Sequence, residues 1–137
     1  MEKIKKIEEL AEILKTLRGQ GKKIVHCHGV FDPLSYNLLE KLGCSRLVIT
    51  RGKMGCAVYS KNKGFVKVPS FAQKIVDRVG AGDAFLSVTA LASVMELDDE
   101  LLGFLGNVVG SLAVEILGNK KSIDKLSVQK YIVSLMK

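Results

Sequence analysis

An α/β fold with helices packed on a partly parallel sheet is the architecture that this 137-residue sequence predicts. Segments with apolar residues at helical spacing alternate with short β-prone runs, in the order helix, strand, helix, strand, hairpin and three helices. Two glycine-rich turns lie between these elements. Ligands of open α/β sheets bind beyond the carboxyl ends of the strands, which is where we expect the two turns.

The first half of the chain supplies two of the strands. Gly19 and Gly21 end the first amphipathic segment, and Gly43 closes the second. Between and after them lie runs rich in β-branched residues. The predicted elements are a helix at 4–17, a strand at 23–27, a short helix at 37–42 and a buried strand at 46–50.

The second half predicts a hairpin followed by three helices. Residues 61–63 form the hairpin turn between runs at 55–60 and 64–68. An acidic connector at 96–100 separates the first two helices, and Gly118 ends the second, whose glycines suggest close helix packing or a ligand edge. The helices are predicted at 83–95, 101–117 and 126–136.

Composition excludes several classes of protein. No apolar run reaches the roughly 20 residues of a membrane span, and the lysine-rich start is followed by no signal-peptide core, so we expect a cytoplasmic protein. The net charge of +7 comes from scattered lysines, which predicts a basic surface and no nucleic-acid partner. Cys27, Cys44 and Cys56 lie far apart in apolar surroundings, as expected of buried thiols in a reducing compartment.

The most informative stretch is residues 77–85, Asp-Arg-Val-Gly-Ala-Gly-Asp-Ala-Phe. Gly80 and Gly82 give backbone freedom at the start of a helix, where unpaired N–H groups offer a site for phosphate oxygens. Asp83 would repel a phosphate there, unless it faces the group that attacks the phosphate. The alternative is a glycine turn with a helix-capping Asp, and the short Gly-x-Gly-Asp pattern leaves both open.

The longer run resembles the C-terminal signature of the PfkB sugar kinases, the ribokinase family. That resemblance implies a ribokinase-like fold. It also implies that Gly80, Ala81 and Gly82 form an anion hole for the transferred phosphoryl group, and that Asp83 is the base that takes the proton of the sugar hydroxyl.

A second motif of the same family precedes the first by about 25 residues. Residues 50–55, Thr-Arg-Gly-Lys-Met-Gly, resemble its T-x-G-x-x-G turn, which lines the ATP site. The resemblance implies that Thr50, Arg51, Gly52 and Gly55 bind ATP, with Mg²⁺ on the phosphates. Asn107 matches a position beside the adenine, although a polar helix residue is usually a satisfied packing partner.

The family can also hold a monovalent cation such as K⁺ beside the glycine loop. The positions that fall near this site are Asp77, Val79, Gly118 and Ser122. The transfer rests on approximate position alone.

The start of the chain resembles a different enzyme. A helix, a strand and then Gly29-Val30-Phe31-Asp32 are similar to the opening of a cytidylyltransferase, although Ser35 to Leu38 stand where His-x-Gly-His should follow. Fusions of the two enzymes occur in ADP-heptose synthesis. We therefore predict a cytidylyltransferase-like remnant at 1–34 and the C-terminal part of a PfkB-type kinase at 35–137, which truncates the kinase.

These resemblances imply ATP-dependent phosphorylation of a sugar or sugar phosphate. The alternative is a non-catalytic nucleotide-binding or assembly module, because both would keep the same loops. A nucleotidyltransferase is a third interpretation, weakened by the absent histidines. A shortened sheet leaves an exposed edge, and self-association through that edge or through the helix at 101–117 is a way to cover it.

Overall fold

Four strands form one sheet in the computed structural model, which describes residues 45–137 and the backbone of residues 24–28. The strands are β1 (Ile24–His28), β2 (Arg46–Thr50), β3 (Cys56–Ser60) and β4 (Gly64–Val68), in that spatial order. β1 pairs with β2 in parallel, whereas β2–β3 and β3–β4 are antiparallel. The partly parallel sheet and the hairpin are thus confirmed. The helices predicted at 4–17 and 37–42 lie outside the described residues.

Strand β2 is an inner strand that is covered on both faces. Leu47, Val48 and Ile49 are all buried, although successive side chains of a strand point to opposite faces. β4 instead alternates between exposed and more buried positions, as expected for a strand with one solvated face. The apolar run of β2 therefore places it centrally, and its end at Thr50 opens towards the first glycine turn.

Three helices follow, with ends that differ from those predicted. They are α1 (Ala81–Val94), α2 (Asp99–Val114) and α3 (Lys125–Leu135). Helix α2 begins two residues early because the side chain of Asp98 accepts a hydrogen bond from the N–H of Glu100. It ends at Val114, not at residue 117, and the Val114 carbonyl accepts bonds from the loop residues Val76 and Asp77 at 2.8 and 3.0 Å.

Helix α2 is the centre of the packing and contacts β3, β4, α1 and α3. Its glycines permit this closeness. A Cβ on Gly103 would lie 2.8 Å from a methyl carbon of Val68, and one on Gly106 would lie 2.5 Å from the ring of Phe85. The close packing that the glycines predicted is confirmed, and it fixes α1, with the glycine loop at its start, against the sheet.

The core also contains an ion pair and a free thiol. Arg46 joins β2 to the start of α2 through an ion pair of 2.8 Å with the buried Asp99 and a hydrogen bond of 3.0 Å to the Leu97 carbonyl. Cys56 is a free, fully buried thiol as expected, and burial raises its pKa to about 11. The side chains of Cys27 and Cys44 lie outside the described residues.

The described helices are short relative to a bilayer or too polar for one. None of them combines the length and the apolar character needed to cross a membrane.

Candidate functional site

The first wall of the candidate site is the loop that enters α1. Gly80 is the N-cap residue and has a left-handed backbone with φ of 81°, a conformation that glycine adopts without strain. Its carbonyl accepts the N–H of Ala84 at 2.9 Å, and no side chain caps the helix. The N–H groups of Gly82 and Asp83 therefore have no acceptor among the described residues. Asp83 is not the cap, which removes the helix-capping interpretation of this acid.

The second wall is the turn after β2. Residues Gly52–Met54 form one 3-10 turn, closed by hydrogen bonds from the N–H of Arg51 to the Gly55 carbonyl at 2.7 Å and from the N–H of Gly55 to the Gly52 carbonyl at 3.0 Å. Gly55 has φ of 82°, and a Cβ there would lie 2.1 Å from the Val68 carbonyl oxygen. Gly52 also has positive φ, but a Cβ there would meet no atom within 4 Å. Gly55 is thus required by packing, whereas Gly52 faces open space.

One cleft of about 420 Å³ joins the two walls. Six of the residues predicted from the motifs line it: Thr50, Gly52, Gly55, Ala81, Gly82 and Asn107. Apolar and small residues make up most of the remaining lining: Ser70, Ala72, Ile75, Phe85, Gly110, Ser111 and Val114. A cleft of this size, with apolar walls and a few polar groups, is typical of small-molecule and cofactor sites.

Asn107 belongs to the cleft, yet its amide group is engaged in packing. The side chain is buried and its Nδ2 donates to the carbonyls of Val68 and Pro69, each at 2.9 Å. These bonds hold the chain after β4 against α2, which is the satisfied packing role that the sequence left open. An adenine contact through the same NH₂ group would compete with them.

Three other residues predicted from the motifs lie outside the lining: Arg51, Gly80 and Asp83. Asp83 is exposed in the first turn of α1, next to Gly82, which does line the cleft. Arg51 directs its guanidinium towards the sulfur of Met54 at 3.6 Å and is not a lining residue. Asp83 is therefore reached from the solvent side of the glycine loop, and ATP binding by Arg51 stays a prediction.

The residues predicted near a monovalent cation come together only in part. The Asp77 carboxylate accepts the N–H of Val79 at 3.0 Å and that of Gly118 at 2.9 Å. These two bonds hold the pKa of Asp77 below its usual value. Ser122 is exposed, and no hydrogen bond between described residues joins it to the Asp77 carboxylate. The arrangement ties the glycine loop to the chain after α2.

The charges of the cleft were not anticipated from the sequence. Lys53 and Arg78 line it, and no carboxylate of the described residues does. Lys53 and Arg78 each stand at a variable position of one of the two motifs. A basic residue inside each motif was therefore the sequence signal that could have predicted these charges. The described residues also contain no group of three or more His, Cys, Asp or Glu that could hold a metal ion. Mg²⁺ suits such a site when phosphates and water supply most of its ligands.

Comparison with known proteins agrees with this geometry. A structure of an E. coli protein described as a candidate Ribokinase II, in complex with ATP and Mg²⁺, superposes with a TM-score of 0.75 at 22% identity, over 93% of this chain and 42% of that chain. The fold is therefore that of the ribokinase-like kinases. The sequence profile of the pfkB family carbohydrate kinases matches residues 32–126, and the chain belongs to that family.

Curated relatives share shorter segments. Inositol 3-kinase of Arabidopsis thaliana is 39% identical over 84 residues, 61% of this chain and 23% of its own length. Bifunctional protein HldE of Geobacter metallireducens is 33% identical over 81 residues, 59% of this chain and 16% of its own length. The chain thus spans less than a quarter of either relative.

Proposed function

We propose that this chain carries the ATP-binding and catalytic part of a kinase that phosphorylates a hydroxyl group of a sugar or sugar phosphate. The observation that carries the proposal is that two motifs about 25 residues apart in sequence line one cleft. A non-catalytic module needs no acid beside that cleft, and no observation favours it over the kinase.

In this proposal the cleft holds ATP, which supplies the phosphoryl group. Thr50, Gly52 and Gly55 border the nucleotide, and the free N–H groups at the start of α1 stabilise charge on the phosphoryl oxygens. Phosphoryl transfer needs mainly alignment and charge stabilisation, which backbone donors fixed by packing provide. The E. coli structure with ATP and Mg²⁺ supports these two cofactors.

Asp83 is proposed as the base that accepts the proton of the attacking hydroxyl. Its exposed position next to Gly82 leaves it open to an acceptor that approaches from the solvent side. The names of the relatives, an inositol kinase among them, support a polyol acceptor. Catalysis by the whole protein then requires a sugar-binding part besides the described residues.

Three finer points belong to the same proposal. The glycine loop can take a monovalent cation such as K⁺ at Asp77, where carbonyls of neighbouring residues would complete the ligands. The cytidylyltransferase-like character of residues 1–34, and their boundary with 35–137, rest on the predicted helix and strand followed by Gly29-Val30-Phe31-Asp32. A cytoplasmic location and self-association follow from composition and from the shortened sheet.

The test of the kinase proposal is Asp83→Asn, with Glu100→Gln as the matched control. Both residues are exposed acids in the first turn of a helix, but Glu100 lies on α2, outside the cleft lining. We expect Asp83→Asn to reduce sugar phosphorylation by about 10²- to 10⁴-fold and to leave ATP affinity unchanged or slightly tighter. Glu100→Gln should keep the parent rate.

The assay follows ADP release over a panel of sugars, polyols and sugar phosphates. Where the chain needs its sugar-binding part for turnover, a complementing fragment is added to parent and variants alike. Titration with ATP and CTP runs beside it, and preference for CTP would revive the nucleotidyltransferase interpretation. An Asp83→Asn protein with the full parental rate would exclude Asp83 as the base.

A further inference from the structure

The cleft carries two positive charges from two separate segments. Lys53 lies in the 3-10 turn after β2, and Arg78 lies in the loop before α1. They are the only charged groups among the described lining residues. Both side chains are exposed, and neither takes part in the ion pairs between described residues, which join Arg46 to Asp99 and Lys63 to Asp98.

Unpaired positive charges at a concave surface repel each other and attract an anion. Low-dielectric walls focus that field into the cleft, and this lining is largely apolar. The N–H groups at the start of α1 add partial positive charge at the same place. Arginine suits a phosphate by its two parallel donors, and lysine does so as a point charge.

We propose that Lys53 and Arg78 bind the phosphate chain of the nucleotide, Arg78 at the end next to α1 and Lys53 at the end next to β2. The inference rests on the proposed nucleotide site and goes beyond it, since neither residue is one of the glycines or the acid of the motifs. It makes the phosphates, more than the nucleoside, the part of the ligand that the cleft selects.

The test compares Arg78→Gln and Lys53→Gln with Lys67→Gln. Lys67 is also an exposed lysine, lies on β4 and does not line the cleft. Calorimetric titration with ATP, ADP and adenosine, each with Mg²⁺, gives the affinities. We expect each cleft variant to bind ATP about tenfold more weakly, because a hydrogen bond to a charged group is lost, and to bind adenosine as the parent does. Lys67→Gln should match the parent for all three ligands.

Two further measurements do not depend on the glutamine variants. Arg78→Lys should recover part of the lost ATP affinity, because it restores the charge without the paired donors. In the parent chain, ATP should slow acetylation of Lys53 about tenfold at a given reagent concentration, as followed by peptide mass spectrometry, while adenosine should not. Lys67 should be acetylated at the same rate throughout.

The outcomes separate this inference from the proposed function. A parent that binds ATP while both glutamine variants bind it equally well overturns the role of Lys53 and Arg78 and leaves the nucleotide site standing. A parent that binds neither ATP nor ADP overturns the nucleotide site itself. Equal weakening by Lys67→Gln would reduce the effect to general surface charge and would also overturn the inference.

Discussion

Replacing Gly55 by alanine tests how the two glycines of the first turn differ. Gly55 combines φ of 82° with ψ of −130°. A Cβ there would lie 2.1 Å from the Val68 oxygen, 2.5 Å from the Pro69 carbonyl carbon and 2.6 Å from the Ser70 nitrogen. All three are backbone atoms, so rotation of a side chain cannot relieve the clash. Gly52→Ala is the matched control, because it has positive φ but no neighbour within 4 Å.

The expected magnitudes follow from these contacts. A non-glycine residue at the positive φ of Gly52 costs about 1–2 kcal/mol, and one at the φ and ψ of Gly55, which lie outside the left-handed region, costs about 1–3 kcal/mol. Gly55→Ala must also move the chain after β4, where the side chain of Asn107 donates to the carbonyls of Val68 and Pro69. Losing those two bonds adds about 1 kcal/mol each. We therefore expect a loss of about 3–5 kcal/mol for Gly55→Ala and about 1–2 kcal/mol for Gly52→Ala.

Urea unfolding followed by far-ultraviolet circular dichroism measures the two free energies of unfolding. ATP titration then separates an effect on the shape of the turn from an effect on the stability of the fold. Gly52→Ala should fold, and the bulkier Gly52→Val should fold yet weaken ATP, because its side chain extends into the space that the ligand needs. The close approach of this turn to the end of β4 would be refuted if the free energies of unfolding of Gly55→Ala and Gly52→Ala lay within about 1 kcal/mol of each other.

Three further predictions follow from other contacts. Gly106→Ala should lose about 1–3 kcal/mol of stability in urea unfolding, because its Cβ meets the Phe85 ring. Gly110→Ala should gain up to about 1 kcal/mol, since the nearest neighbour of its Cβ lies at 3.8 Å. The reverse order of the two stabilities would contradict the α1–α2 packing. At neutral pH, iodoacetamide should fail to alkylate Cys56 in the native chain and should alkylate it in the unfolded chain, as measured by peptide mass spectrometry. Because burial raises the pKa of its thiol from 9.0 to about 11, stability should fall as pH rises between these values; flat stability there would contradict its burial. Asp77→Asn should speed hydrogen exchange at the Val79 and Gly118 amides. The wild-type carboxylate's contribution should be present at neutral pH and lost as pH falls through its lowered pKa, and unchanged exchange would count against this tether.

Local sequence patterns determined most of the secondary structure of the described residues. The strand predicted at 46–50 has those bounds in the structure, and the hairpin at 56–68 follows its predicted turn, because β-branched runs between glycines and polar turns leave few other pairings. The helix ends were less accurate. The end of α2 is set by the loop N–H groups of Val76 and Asp77, which no local pattern reveals.

The candidate site divides in the same way. Sequence by itself identified the two glycine motifs, because the backbone conformations that they need restrict the residue types at fixed spacing. It also singled out Asp83, through its position directly after Gly82 and the family resemblance. Only the tertiary structure decided which glycine is packed and which is open, and that Asn107 is engaged with the chain after β4. The cleft charges also emerge only there, since whether Lys53 or Arg51 lines the cleft depends on how a 3-10 turn projects neighbouring side chains, and a motif does not encode that direction.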